Sequence, residues 1–346
     1  MSLTSFRNTL LNRVERFLKR ERLVSLPTIM QLEISSACNL SCSICARAEF
    51  PYGPGNLSLE LIGSLTPLFP YLQKLILHGY GEPMAHPKFV GLMDIVAPFS
   101  CEKSFYTNGT MLAGTKAEAI IKGGVTEITV SIDSPAKASF ERIRTGASFD
   151  RVIDNVGAFI DRRNGLGKRR PRVTIAAVAM KDNVEELPDL VDLAFDLSAD
   201  ALEINYLMAY KKELVEKSLF FDRRRANAAL REVQKRAVHR RIDVRLPELF
   251  AVDDAPAPPR PQRTCLRPYD FTYIGYDGNV RPCCFPLLYL GTIAETDFRE
   301  IWNGPGYRGL RRSFADGAPP EFCRACLSGL YTHVDSEKCH ISCEWR

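Results

Sequence analysis

Residues 33–47 read EISSACNLSCSICAR, with Cys38, Cys42 and Cys45 in the pattern C-x3-C-x2-C. Three is an odd number for a disulfide framework and one short of a closed tetrahedral zinc site. No His or Cys follows at suitable spacing before His78. Three thiolates can instead hold three irons of a [4Fe–4S] cube and leave the fourth iron open to a ligand.

The position of this segment gives it its meaning. It directly follows TIMQLEI (28–34), the first of six short apolar runs; the others are KLILHG (74–79), KSFYTN (103–108), EITVSI (127–132), RVTIAAVAM (172–180) and ALEINYL (201–207). Helix-like stretches near 58–69, 87–98, 115–123, 150–163 and 184–197 separate them. Six βα units argue for parallel strands with right-handed crossovers. Six are too few for an eight-fold closed barrel, so the expected fold is α/β, a partial (β/α)6 barrel. Its site should lie at the C-terminal ends of the strands, where the cysteine loop falls.

Further out, residues 4–24 read as an amphipathic helix with Phe6, Leu10, Val14, Phe17 and Leu18 on one face and Arg and Lys on the other. The expectation is a helix capping the larger domain; the alternative is docking to a partner. The run RRNGLGKRRPR (162–172) reads as a solvated loop at the far end of the barrel. An Arg-rich helix over 222–240 precedes AVDDAPAPPRPQR (251–263), a Pro-rich linker. The division expected is 1–27 N-terminal helix, 28–250 barrel, 251–264 linker and 265–346 a small cysteine-rich β-hairpin/helix domain. That last region holds seven of the 11 cysteines and a hairpin turn at Asp277-Gly278. Its core is too small to stand alone, so a metal centre would supply the missing stability.

The 346 residues are 45% hydrophobic and 25% charged with net charge +5, which does not argue for nucleic acid. No run is apolar enough for a membrane span, and the N-terminus lacks a secretory signal. Clustered cysteines without export point to a reducing, cytoplasmic compartment, where thiols bind metal more often than they pair.

With HGYGEP (78–83) at the end of the second run, the sequence resembles the radical S-adenosylmethionine (SAM) superfamily. In that family the open iron is chelated by the methionine amino and carboxylate groups of SAM. Reductive cleavage then yields a 5′-deoxyadenosyl radical. The resemblance implies that Gly79, Tyr80, Gly81, Glu82 and Pro83 hold the methionine ammonium, with Tyr80 where the short motif often has Gly. It further implies that Thr107 and Asn108 of YTNG form a SAM-site turn and that Ser131 and Asp133 of SID contact the ribose. Arg144 would pair with the SAM carboxylate, Ile44 would flank the adenine, and Asn205 to Met208 would line the adenine or substrate.

Cys265, Gly278 and Cys283 in C-x12-G-x4-C, with Cys323 and Cys326 in C-x2-C, resemble the SPASM/twitch extension of this superfamily. The resemblance implies one auxiliary [4Fe–4S] cluster held by Cys265, Cys283, Cys323 and Cys326. A second would involve Cys339 and Cys343, with a non-Cys ligand such as Asp335 or His340. Cys101 reads as a small buried hydrophobe. Cys284 reads as a packing residue, with hydrogen-atom donation to a substrate radical as its alternative. Acid/base candidates at the mouth are His78, Glu203, Tyr206 and Tyr210.

The auxiliary cluster favours oxidation of the substrate. The resemblance implies two substrate classes, peptides and small polar molecules such as a sugar or aminocyclitol. Because the short segment before Cys38 leaves no room for the peptide-recognition domain that many peptide-modifying members carry, the small polar substrate is the leading expectation. The alternatives are a peptide-modifying enzyme or a redox-neutral sugar epimerase, dehydratase or decarboxylase. The expected electron donor is a flavodoxin or ferredoxin. An iron–sulfur electron carrier or zinc regulator would leave GYGEP unexplained.

Overall fold

The computed structural model describes residues 2–49, 53–209, 211–252, 265–284 and 288–327. Helix α1 (Leu3–Phe17) precedes β1 (Ile29–Leu32). The repeats continue with α2 (Leu59–Leu65), β2 (Lys74–Ile76), α3 (Phe89–Val96), β3 (Glu102–Thr107), α4 (Gly114–Lys122) and β4 (Glu127–Ser131). Then come α5 (Lys137–Ile143), α6 (Phe149–Gly165), β5 (Arg172–Ala179), α7 (Asp189–Asp196) and β6 (Ala201–Tyr206). After α8 (Lys212–Val215), α9 (Arg223–Arg240) and β7 (Asp243–Arg245), the C-terminal part holds α10 (Arg267–Asp270), β8 (Phe271–Ile274), β9 (Asn279–Arg281) and β10 (Gly291–Thr292). It ends in α11 (Phe298–Trp302), α12 (Pro305–Ala315) and α13 (Glu321–Leu327).

All six expected strands form, and they lie side by side in chain order as parallel neighbours. The sheet is wider than six, however, running β10-β9-β8-β1-β2-β3-β4-β5-β6-β7. The short strand β7 adds in parallel to β6, and β8 adds in parallel to β1. The two ends of the sheet do not pair, so the barrel is open. The expected hairpin is β8–β9, with Gly278 at φ +79° in its turn. Its first strand is thus part of the barrel sheet rather than of a detached module.

Alternation along the strands sorts the side chains. Met30, Leu75, Phe105, Ile128, Val130, Val173, Ile175, Leu202 and Ile204 are buried against the helices and form the main core. Polar residues such as Gln31, Tyr106, Glu127, Thr174, Glu203 and Asn205 take the opposite positions and line the lumen. The C-terminal part packs through buried Trp302, Tyr307 and Arg311. The Arg311 guanidinium stacks 4.3 Å from the Trp302 ring centroid and donates to the carbonyls of Pro268 and Glu21. Trp302 Nε1 donates to Ser25 O, just before β1.

Two sequence expectations are corrected here. Helix α1 caps the barrel, but by its polar face: Ser5, Asn8, Asn12 and Glu15 are buried while Phe6, Leu10, Val14 and Phe17 are exposed. The reason is hydrogen bonding. Asn8 Nδ2 donates to Leu26 O at 2.9 Å, Asn12 Nδ2 to Tyr269 O at 2.6 Å, and Ser5 Oγ to Leu72 O at 2.8 Å. Glu15 accepts from the Val24 and Ser25 amides. These side chains satisfy backbone groups that no strand or helix pairs, and leaving such groups buried and bare is costly. In the basic run, Arg163 is not solvated: it is buried and paired with Asp200.

Candidate active site

The cysteine loop leaves β1 at the C-terminal edge of the sheet and is held from three sides. Ser41 N and Ser43 N donate to the carbonyls of Thr145 and Ile143, at and just past the C-terminal end of α5. Asn39 and Asn108 bond to each other at 3.0 Å, and Asn108 Nδ2 also approaches Cys38 Sγ at 3.9 Å. Glu82 N donates to Ala37 O at 2.8 Å. The backbone of the 79–82 turn lies so close to this loop that a Cβ on Gly81 would meet Ser35 O at 2.4 Å and Ala37 O at 2.6 Å.

The turn is stabilised from below by Glu33, an acid that sequence reasoning passed over. It is fully buried at the end of the first apolar run, and its Oε1 accepts the Tyr80 amide at 2.8 Å. A Cβ on Gly79 would meet its Cγ at 2.4 Å. The signal was there in principle: a carboxylate placed within an apolar strand needs donors around it. Burial raises the Glu33 pKa.

Glu82 is likewise buried, which raises its pKa. Its carboxylate accepts from Thr107 Oγ1 (2.8 Å), the Asn108 amide (2.8 Å) and the Met84 amide (3.1 Å). It therefore ties the YTNG turn to GYGEP, with Pro83 opening the short turn that Glu82 caps. Ser131 ends β4 half-buried, and no hydrogen bond of its hydroxyl is seen among the described residues.

Asp133 differs from its expected role. It is wholly buried; one carboxylate oxygen accepts from Arg144 Nε and the other from the Val178 amide at 2.8 Å. Both oxygens being engaged, it holds Arg144 in place rather than facing a ribose. Arg144 also reaches Cys42. Burial opposes its charge, but Asp133 and Cys42 outweigh burial and raise its pKa.

Residues 32–194 match the model of the radical SAM superfamily, and residues 265–327 match that of an iron–sulfur cluster-binding domain, SPASM. The chain belongs to the radical SAM superfamily. The tungsten-containing aldehyde ferredoxin oxidoreductase cofactor-modifying protein of Pyrococcus furiosus is 24% identical over 311 residues, covering 82% of this chain and 82% of that protein. The PqqA peptide cyclase of Gluconobacter oxydans is 25% identical over 324 residues, covering 88% and 84%. Streptococcus suis SuiB bound to its precursor peptide SuiA shares the fold at TM-score 0.68 and 18% identity, covering 99% of this chain and 81% of that one.

The cofactors of this radical SAM chain are a [4Fe–4S] cluster with SAM and auxiliary iron–sulfur binding in the SPASM part. The first loop suits the cluster. Cys38, Cys42 and Cys45 are half-buried thiols within electrostatic reach of one another. The Leu40 amide donates to Cys38 Sγ at 3.4 Å. Burial raises the Cys38 and Cys42 pKa values, so thiolates there need a cation, and a cluster supplies it. Among the described residues no three His, Cys, Asp or Glu converge closely enough for a single metal ion. Ile44 packs at the edge of an apolar cluster formed by Ile143, Met180, Leu207, Ala209 and Leu214.

In the SPASM part, Cys265, Cys323 and Cys326 act on one another electrostatically. Burial, then these neighbours, push the Cys323 thiol up to about 12. Cys284 lies within reach of Cys265 and Cys326, and burial pushes its thiol up to about 11. Cys283 is half-buried and acts on the buried Tyr307 hydroxyl. Cys326 also packs against the apolar cluster that Ile44 joins. Cys339, Cys343, Asp335, His340, Tyr210 and most of the linker fall outside the described residues. Cys101 is buried, as a small hydrophobe should be.

Inside the lumen, Glu203 is a hub. Tyr106 Oη donates to its Oε1 at 2.7 Å, Asn205 Nδ2 at 2.8 Å, and Arg245 pairs with Oε2 at 3.1 Å. The His78 ring lies 4.9 Å from that of Tyr106, and its Nδ1 accepts the Tyr106 amide at 3.3 Å. Burial, with Lys74 nearby, lowers the His78 pKa to about 4, so the ring is neutral and its Nε2–H is a donor. Tyr206 is removed from this group by strand alternation. It points to the opposite face of β6, bonds Glu248 O at 3.0 Å and stacks on Phe250.

Proposed function

We propose that this radical SAM enzyme modifies a peptide. The match to the PqqA peptide cyclase, which spans both the barrel and the SPASM part, carries this reading. It displaces the leading expectation of a small sugar-like substrate, which leaned on the short segment before Cys38. The accessible lumen supports it: Tyr106, on the central strand β3, points inward and is still 36% exposed, which leaves room for a substrate there.

In this reading Cys38, Cys42 and Cys45 hold the cluster, and Cys265, Cys323 and Cys326 with Cys283 or Cys284 hold the auxiliary one. The bound cluster and SAM supply a radical that removes a hydrogen atom from a substrate carbon. Arg144, fixed by Asp133, offers a guanidinium beside Cys42 for a carboxylate. Glu82, Thr107 and Asn108 fix the turn that carries the Gly79–Gly81 backbone. Tyr106, Glu203 and Arg245 orient polar groups of the substrate, and the neutral His78 holds a proton at Nε2. A flavodoxin- or ferredoxin-type protein donates the electrons.

The test is anaerobic turnover with SAM and short peptides encoded beside its gene, deuterated in turn at each residue type. Transfer of deuterium from a peptide into 5′-deoxyadenosine, with loss of two hydrogens from that peptide, is expected. Transfer only from a sugar or aminocyclitol would return the substrate to the small-molecule class.

A further inference from the structure

Helix α1 and its C-cap present Leu3, Phe6, Leu10, Val14, Phe17 and Leu18 to solvent, each between 49% and 84% exposed. The helix cannot roll to hide them, because Ser5, Asn8, Asn12 and Glu15 anchor its other face. At 100° per residue the stripe from Phe6 to Val14 is bordered by Arg13 on one side and Arg7 on the other, with Leu18 just past Arg7. Arg20 and Arg22 follow just beyond. All four arginines are exposed, and none forms an ion pair among the described residues. No acid shares this face: Glu15 points inward, and Glu21 pairs with Arg312.

We propose that α1 is an in-plane anchor that docks this enzyme on an anionic phospholipid surface. An apolar stripe flanked by arginines matches acyl chains flanked by phosphates. A second copy of the chain is a poor occupant. Antiparallel pairing about Leu10 keeps each flank of the stripe on its own side, so it would set Arg7 near Arg7 and Arg13 near Arg13 of the two copies, with no acid between them. The helix spans 15 residues, and none of the described helices is long and apolar enough to cross a membrane, so α1 lies on the surface. Its anchors are Leu26, Tyr71, Leu72 and Tyr269, all just before β1, β2 and β8. Helix α1 therefore sits at the N-terminal end of the strands, and docking leaves the cysteine mouth facing away from the lipid.

The test is co-sedimentation of the full-length, cluster-reconstituted enzyme with vesicles of phosphatidylcholine, with and without phosphatidylglycerol. Partitioning at least about tenfold stronger onto the anionic vesicles is expected, weakening with added salt. Leu10→Glu/Phe17→Glu and, separately, Arg7→Gln/Arg13→Gln should each lose most of that binding while keeping SAM cleavage. Wild-type protein that stays in the supernatant would overturn the proposal, as would variants that sediment like wild type. Equal binding to neutral and anionic vesicles would overturn its electrostatic part. A dimer in light scattering that Leu10→Glu dissolves, without vesicle binding, would assign the face to a second copy and overturn it too.

Discussion

The hydroxyl of Tyr80 donates a 2.8 Å hydrogen bond to the carbonyl of Cys284. One residue belongs to the GYGEP turn that packs on the first cysteine loop; the other belongs to the hairpin end among the SPASM cysteines. The departure from glycine in the motif thus makes a direct strut between the two cluster regions.

Tyr80→Phe removes that bond and leaves the ring in place. A loss of about 1 kcal/mol in stability is expected, from the ordinary net worth of one hydrogen bond. Denaturant titration measures it, and the g-values of the reduced auxiliary cluster should shift while SAM binding persists.

Replacing Cys38, Cys42 and Cys45 together by Ala should abolish 5′-deoxyadenosine formation. Reconstituted iron should fall by about four per chain, the content of one cube, because the SPASM cysteines are independent. Iron analysis beside SAM-cleavage assays checks this, and retained cleavage would remove these cysteines from the site.

Gly81→Ala would place a methyl group against the Ser35 and Ala37 carbonyl oxygens, both backbone atoms that cannot swing aside. The turn and the cysteine loop must separate. SAM cleavage should fall at least about tenfold with far-UV circular dichroism unchanged, as active-site misplacement of this size costs rate rather than fold.

Glu203→Gln and Tyr106→Phe should slow product formation by about tenfold or more, the worth of one hydrogen bond to a charged group. Uncoupled SAM cleavage should persist, since neither residue touches the cysteine loop. Equal loss of both activities would place them in SAM binding instead.

His78 has its pKa lowered from 6.5 to about 4 by burial. The unfolded chain therefore binds the proton more readily, and stability falls as pH drops below 6.5. On the order of 2 kcal/mol should be lost by pH 4, allowing for solvent at the half-buried ring. Thermal midpoints of cluster-free protein between pH 7.5 and 5 should show the onset, and His78→Gln should flatten the slope.

The order of βα units and the place of the cysteine loop were legible from residues alone. Period-two apolar runs, helical spacing and a three-thiol motif are local patterns, and right-handed crossovers leave few ways to assemble them. The tertiary structure decided what depends on distant partners. Strand β7 is only three residues long and exists because β6 offers a free edge, and the expected hairpin strand β8 joins the barrel sheet because β1 offers another. Tyr206 has the same composition signal as Tyr106, yet alternation puts one outside and the other in the lumen. Asp133 looked like a ligand contact until Arg144 and the Val178 amide took its oxygens. The pattern of α1 foretold a buried apolar face, but unpaired backbone groups near Leu26, Leu72 and Tyr269 drew its Ser and Asn side chains instead. Hydrophobicity is a property of the segment; which face is buried depends on the hydrogen bonds waiting on the surface it meets.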